Sequence, residues 1–362
     1  MLEVLQDVPL GARTTLGVGG RARYFVEVAD ADGVRAALSW ADARGVPVAV
    51  IGGGSNLLVA DVGFSGLVLR VRAEEVSPTR NDGRLRVGAG VAWDAFVNET
   101  VARGLSGIEC LAGIPGDVGA APMQNVGAYG QEVSQTITEV EVVDRRDGRS
   151  ATLSAAACGF GYRDSVFKRE AAGRYVVTAV TFQLEPEGAP TLAYAALAQR
   201  FEGRAAPPSL REVRDAVVAL RREKSMVLLD PDDENARSAG SFFVNPVVPR
   251  RAFARVEERA ARVAPGVPMP RFDVAEGLKI PAAWLIERSG LTRGTRRGRV
   301  GLSTKHTLAI VNRGGATAAE VVAFAAEIRA RVRDVFGVTL VPEPRTLGFS
   351  PEAEAAFRAA AR

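Results

Sequence analysis

Between Cys110 and Gly130 the chain reads CLAGIPGDVGAAPMQNVGAYG, with five glycines and two prolines in 21 residues. That density interrupts helix and strand alike, and stretches of this kind are ordinarily polar linkers. This one is not polar. Val118, Ala120, Ala121, Met123 and Val126 are apolar, which predicts a segment buried against something. Glycine admits positive φ and close backbone approach, and it opens N–H groups to a phosphate or a planar ring. A buried, glycine-dense turn system points to a wrapped ligand, with an irregular core loop as the plain alternative.

A second such turn, Gly52-Gly53-Gly54-Ser55-Asn56-Leu57, comes after the apolar run Val48–Ile51, where a phosphate loop would sit. Leu57 stands in place of the third glycine of Gly-x-Gly-x-x-Gly, and no Gly-Lys-Ser/Thr is present, so neither a Rossmann nor a Walker loop is written here. The glycine N–H groups with the Ser55 and Asn56 side chains still make an anion nest, or else a simple β-turn. Two such turns about 60 residues apart suit a long ligand with a pyrophosphate in its middle.

The remaining composition closes several doors. A chain of 362 residues accommodates two or three domains, and no run approaches 18 apolar residues, so a membrane span is not expected. Acids at Glu3 and Asp7 stand where a signal peptide needs bases, so a cytoplasmic location is expected. Cys110 and Cys158 lack metal or disulfide spacing and are expected to be buried thiols. His306 is the only histidine, which excludes a His-rich zinc site, and no metal is expected. No Gly-x-Ser-x-Gly elbow occurs. Catalysis must rest on Arg, Lys, Glu, Asp, Ser, Tyr or a bound cofactor. The cluster Arg293, Arg296, Arg297 and Arg299 reads first as a solvated loop, next as an anion site, and last as a nucleic-acid contact, because no aromatics interleave it.

Period-2 and period-3.6 apolar patterns alternate along the chain and predict an α+β protein of three units. Residues 1–72 form the first, which the C-terminal segment 340–362 is expected to join; 73–208 form the second, and 209–339 the third. Strands are predicted at Arg23–Val28, Val48–Ile51, Ser241–Val248, His306–Val311 and Thr339–Leu347. Helices are predicted at Asp32–Arg44, Trp93–Gly104, Leu210–Lys224, Arg250–Val263, Pro281–Ser289 and Ala316–Phe336.

GGGSNLL at 52–58 and GIPGDVGAAP at 113–122 resemble the flavin-cradling loops of UDP-N-acetylenolpyruvoylglucosamine reductases, enzymes of the vanillyl-alcohol-oxidase (PCMH) type of FAD fold. The likeness continues in family order through QNVGAYG (124–130), YRDSVFK (162–168), GSFFVNP (240–246) and PEPR (342–345), and so covers nearly the whole chain. It implies a two-part FAD region, 1–72 and 73–208, with a C-terminal α+β substrate domain. It also implies one non-covalent FAD, NADPH as electron donor, and reduction of UDP-N-acetyl-3-O-(1-carboxyvinyl)-glucosamine to UDP-N-acetylmuramate for peptidoglycan; the oligomeric state is not written in the sequence, and a monomer is expected. By the same resemblance the FAD contacts are Gly52, Gly53, Gly54, Ser55, Asn56, Gly113, Ile114, Pro115, Gly116, Gly119, Ala120, Asn125 and Gly127.

Reducing an enolpyruvyl ether places hydride on the β-carbon, builds negative charge on the carboxylate as an enolate, and requires a proton at the α-carbon. Fixed cations or acids near that carboxylate lower the barrier. Arg163, in Tyr162-Arg163-Asp164-Ser165, has the permanent charge and the planar fork for this. The resemblance puts Arg163 and Glu343 on the enolate and makes Ser241 the proton donor. Read without it, Arg163 is half of a surface ion pair, Glu343 a solvated charge and Ser241 a structural hydroxyl. Tyr194, Lys224 and Asn245 align with nucleotide-sugar contacts, and His306 with a polar substrate contact that is often not histidine. Two rivals stand beside this reading: an alcohol or lactone oxidase on the same fold, and a nucleotide-sugar binding module with a degenerate flavin site.

Overall fold

Apolar residues spaced three and four apart make helices where the sequence predicts them. Val34, Ala37, Leu38 and Ala41 are the buried face of the helix Ala31–Asp42, whose first turn is closed by Gly33 N–H donating to the Asp30 carboxylate at 2.8 Å. Trp93, Phe96, Val97 and Thr100 repeat the spacing in Trp93–Ala102. Leu210–Glu223 and Ala318–Phe336 both open on capping boxes, Ser209 with Glu212 and Thr317 with Glu320.

The structure, a computed structural model, describes residues 2–79, 82–227 and 232–358. Asp230 and Pro231 of the acidic loop and the end of the Ala-rich tail lie outside the described residues. The fold is α+β and divides into two units: Met1–Val8, Ala22–Gly54 and Ser65–Leu228, and Pro9–Arg21, Ser55–Phe64 and Leu229–Arg362.

In the first unit a sheet orders Leu5–Pro9, Arg21–Val28, Phe64–Val71 and Val48–Ile51, the last two parallel with Ile51 beside Arg70. A second, antiparallel sheet orders Ser150–Ser154, Ile137–Asp144, Tyr175–Gln183, Arg84–Gly88 and Val76–Pro78. One apolar core joins them, and Val213, Val217, Val218 and Leu220 of the helix Leu210–Glu223 belong to it. The second unit packs Arg250–Val263, Ala282–Arg288 and Ala318–Phe336 with two small three-stranded sheets around its own core. Within it the C-terminal strand Arg345–Leu347 runs parallel to Leu57–Val59.

Three predicted strands come out differently. Of Ser241–Val248 only Val247–Val248 is regular strand, and Phe243 makes a single bridge to Pro342. Of Thr339–Leu347 only Arg345–Leu347 is strand. Pro246, Pro342 and Pro344 lack an N–H to donate, so no longer ladder can close. His306 lies in a turn ahead of the strand Ile310–Asn312. The glycine segment also departs from uniform burial: Val118 and Ala121 are buried, Met123 and Val126 half-buried, and Ala120 exposed. The cause is the 3₁₀ helix Val118–Gln124, with three residues per turn, which turns i and i+3 inward together.

Candidate active site

In the first unit the two glycine-rich turns lie side by side. A Cβ on Gly53 would come within 2.9 Å of Gly116 Cα and 3.0 Å of Asp117 Oδ1, so Gly53 must stay without a side chain for the turns to meet. The later turn is seated on the short segment that leaves the strand Arg84–Gly88: Val118 N–H donates to Val91 O and Gly119 N–H to Ala89 O, each at 2.9 Å. Gly113 N–H donates to Asp94 Oδ1 at 2.5 Å. Asp117 stands between the turns with Arg70 Nη2 at 3.1 Å; burial nevertheless raises its carboxyl above the usual range, and Arg70 offsets part of that. A cleft of about 280 Å³ lined by Arg70, Arg72, Glu74 and Asp117 opens beside it. Adjoining glycine-rich turns of this kind fit the pyrophosphate of a dinucleotide cofactor. Gly53→Ala is expected to force the turns apart at a cost of about 1–3 kcal/mol, weakening FAD binding roughly 10–100-fold. The ratio of visible to ultraviolet absorbance of the purified protein measures it, and full flavin occupancy would contradict the close approach.

The side-chain amide of Asn125 is bonded within the fold. Its Nδ2 donates to Glu132 Oε2 at 2.8 Å and to Gly161 O at 3.0 Å, and its Oδ1 accepts from Ser134 N–H at 3.0 Å. It thereby fastens the turn Gly161-Tyr162-Arg163-Asp164, closed by mutual backbone bonds between Gly161 and Asp164. Arg163 occupies the third place of that turn at φ +54, a conformation glycine usually takes. Its Nη2 donates to Gly127 O at 2.5 Å, Lys168 Nζ donates to its carbonyl at 2.6 Å, and Ser165 Oγ donates to Met123 O at 2.6 Å below it. The Arg163 guanidinium is therefore held at Gly127 O, and its main chain by Lys168.

Tyr194 and Lys224, 30 positions apart, meet through a residue not singled out in the sequence. The Tyr129 ring lies edge-on to Tyr194 at 5.1 Å, with Lys224 Nζ 6.0 Å from its centre. Tyr129 also hydrogen-bonds Arg221, and burial raises its hydroxyl pKa. Arg221 is buried, donates from Nε to Gly113 O at 3.1 Å, and has its pKa lowered by that burial. A signal for Arg221 existed: it continues the apolar stripe Val213–Val217, where a charge needs a reason.

In the second unit, backbone bonds bring Ser241 and Glu343 into adjacent segments. Glu343 N–H donates to Phe242 O at 2.9 Å, Val244 N–H to Val341 O at 3.0 Å, and Phe242 N–H to Leu308 O at 2.7 Å. Asn56 Nδ2 reaches Glu343 O at 3.4 Å, and Arg345 N–H donates to Asn56 O at 2.9 Å, tying the first turn's Asn56 to the same strand. Asn245 Oδ1 accepts the Ala282 N–H at 2.8 Å and so caps a helix. His306 is half-buried, its N–H 3.3 Å from Ser303 Oγ. The arginine cluster resolves into exposed ion pairs, Arg297 with Glu327 and Arg299 with Glu320, at 2.6 and 3.1 Å. Among the described residues no group of histidines, cysteines and carboxylates is arranged to hold a metal, and no helix is long and apolar enough to cross a membrane.

The chain matches a family model for an FAD binding domain over residues 22–154, and one for the C-terminal domain of UDP-N-acetylenolpyruvoylglucosamine reductase over 230–347. It is 51% identical over 352 residues to the UDP-N-acetylenolpyruvoylglucosamine reductase of Thermobifida fusca, covering 95% of this chain and 98% of that one. The Streptomyces coelicolor enzyme of that name is 47% identical, over 96% and 91%. The crystal structure of the Thermus caldophilus reductase superposes with a TM-score of 0.64 at 27% identity, over 96% of this chain and 99% of that one. Sequence and fold agree from end to end: the chain belongs to the UDP-N-acetylenolpyruvoylglucosamine reductase family.

Proposed function

We propose that this chain reduces UDP-N-acetyl-3-O-(1-carboxyvinyl)-glucosamine to UDP-N-acetylmuramate with NADPH, in the synthesis of peptidoglycan precursors in the cytoplasm. The observation that carries the reading is identity at half of all positions with a reductase matched over nearly its whole length. In the division of labour we assign, 1–72 and 73–208 hold FAD, and 209–339 takes the substrate. Bound FAD would supply the hydride-transfer chemistry between NADPH and the β-carbon of the enolpyruvyl group.

The chain's own residues do the rest. The Gly52–Gly54 and Gly113–Gly119 turns meet the cofactor's pyrophosphate with backbone N–H groups other than those of Gly113, Val118 and Gly119, which bond within the fold. Arg163 and Glu343 meet the carboxylate on which negative charge builds as hydride arrives, and Ser241 gives its proton to the α-carbon. Holding an arginine at positive φ costs on the order of 1 kcal/mol, which supports a side chain kept for its chemistry rather than for the turn. Tyr194 and Lys224, gathered around Tyr129, supply an aromatic face and a cation for the nucleotide diphosphate. FAD is held without a covalent bond. Cys110 lies at the start of the glycine segment, but burial pushes its thiol far up and its Sγ donates to Thr191 O at 3.2 Å, so no thiolate is available for attachment.

The purified protein is expected to be yellow, to bleach with NADPH under anaerobic conditions, and to regain colour when the enolpyruvyl substrate is added. Acid precipitation should leave the colour in the supernatant. A flavin-free protein would favour the binding module. Bleaching by an alcohol or lactone, with recovery in oxygen, would favour the oxidase.

A further inference from the structure

Glu109 takes no part in the chemistry above, yet it is a carboxylate with 0% exposure, set just before the glycine segment. Three donors converge on it: Gly107 N–H on Oε2 at 2.8 Å, and Thr191 N–H and Gln131 Nε2 on Oε1 at 2.8 and 2.9 Å. Gln131, also buried, accepts the Cys110 N–H at 2.7 Å and donates to Thr191 Oγ1 at 3.0 Å. With the Cys110 thiol on its carbonyl, Thr191 is therefore gripped at its N–H, its hydroxyl and its C=O. A carboxylate is costly to bury unless donors surround it, so this arrangement holds only while Thr191 stays in place.

Thr191 is three residues before Tyr194, in a stretch without helix or strand between Pro186 and Ala195. That stretch lies hard against Gly130: a Cβ there would be 2.9 Å from Ala193 Cβ and 3.4 Å from Tyr194 N. Tyr194 itself is 37% exposed and touches Tyr129. Its place is thus set from behind, through Thr191, by the buried pair.

We propose that Glu109 and Gln131 are positioning residues for the nucleotide sugar: they fasten Thr191, seat Ala193 on Gly130, and hold Tyr194 where the nucleotide end of the substrate binds. This rests on the reductase reading.

The test is Glu109→Gln in the holoenzyme. The substitution turns one acceptor oxygen into an NH₂ group facing other donors. KM for the enolpyruvyl UDP-sugar is expected to rise about 10–100-fold, with the rate of NADPH bleaching within about twofold of wild type. In a cycle with Tyr194→Ala, the double variant should bind substrate no worse than Tyr194→Ala alone. An unchanged KM, losses that multiply, or bleaching that slows in step with reoxidation would each overturn the proposal. Thr191→Val, which removes only the Oγ1 acceptor, gives a second measure should Glu109→Gln fail to fold: KM should rise about 3–10-fold, and an unchanged KM overturns it. If the wild-type protein does not turn over the enolpyruvyl substrate, the reductase reading has failed. If it does and both variants bind normally, only this inference has.

Discussion

Ser241→Ala is expected to leave NADPH bleaching at a near-normal rate and to slow reoxidation by the enolpyruvyl substrate by about 10⁴-fold or more. The size comes from the role. General acid catalysis is ordinarily worth about 10²–10⁴, and solvent cannot easily replace a donor enclosed with its substrate. The backbone around the position is fixed independently of the hydroxyl. Phe242 and Phe243 are 0% and 1% exposed, and Phe242 is bonded at both its N–H and its C=O. Removing a half-buried hydroxyl should therefore change stability by less than about 0.5 kcal/mol, which keeps the kinetic result interpretable. Ser241→Cys retains an exchangeable proton and should recover part of the rate. Stopped-flow absorbance separates the two half-reactions. If flavin reduction collapses together with reoxidation, Ser241 is not the proton donor.

The second large effect concerns Arg163 and Glu343, which we assign to one developing charge. Losing one preorganised stabiliser costs about 3–4 kcal/mol of barrier, or on the order of 10²–10³ in rate. Arg163→Lys keeps the charge and loses the planar fork. It should recover only part, since a single ammonium nitrogen cannot hold Gly127 O, as Nη2 now does, while a second nitrogen of a planar fork faces the carboxylate. Glu343→Gln should resemble Glu343→Ala more than wild type, because the amide has no acidic proton to share. With both groups acting on one intermediate, the double variant should lose less than the product of the single losses. Single-turnover reoxidation rates measure this. Strictly multiplicative losses, with flavin content intact, would assign the two residues to separate steps.

The elements that carry these residues differ in how far they could be read. Arg250–Val263 and Val48–Ile51 fall where the apolar pattern puts them, because a continuous amphipathic face or an apolar run is written locally, although of the strand only Ile51 is buried. The Ser241 and Glu343 segments read as strands throughout, and only Val247–Val248 and Arg345–Leu347 are. Their apolar content is right, but prolines remove the donors a longer ladder needs, and only one bridge forms between the two segments. The bonds of the Asn125 amide to Glu132, Gly161 and Ser134 are not written in any local pattern.

What the amino-acid sequence determined by itself is the chemistry that is possible: two glycine-dense turns, a single histidine, a Tyr-Arg-Asp-Ser turn, and family motifs in order along nearly the whole chain. Those are properties of residue type and local spacing, and they survive without a fold. Only the tertiary structure decided which backbones touch. It set Gly53 against Gly116, brought Glu343 to Phe242, made Tyr129 the meeting point of Tyr194 and Lys224, and closed Glu109 over Thr191, 82 positions away. Each of these depends on long-range packing, where a buried polar group must find its partner wherever the fold delivers one, and no local pattern in the chain records that address.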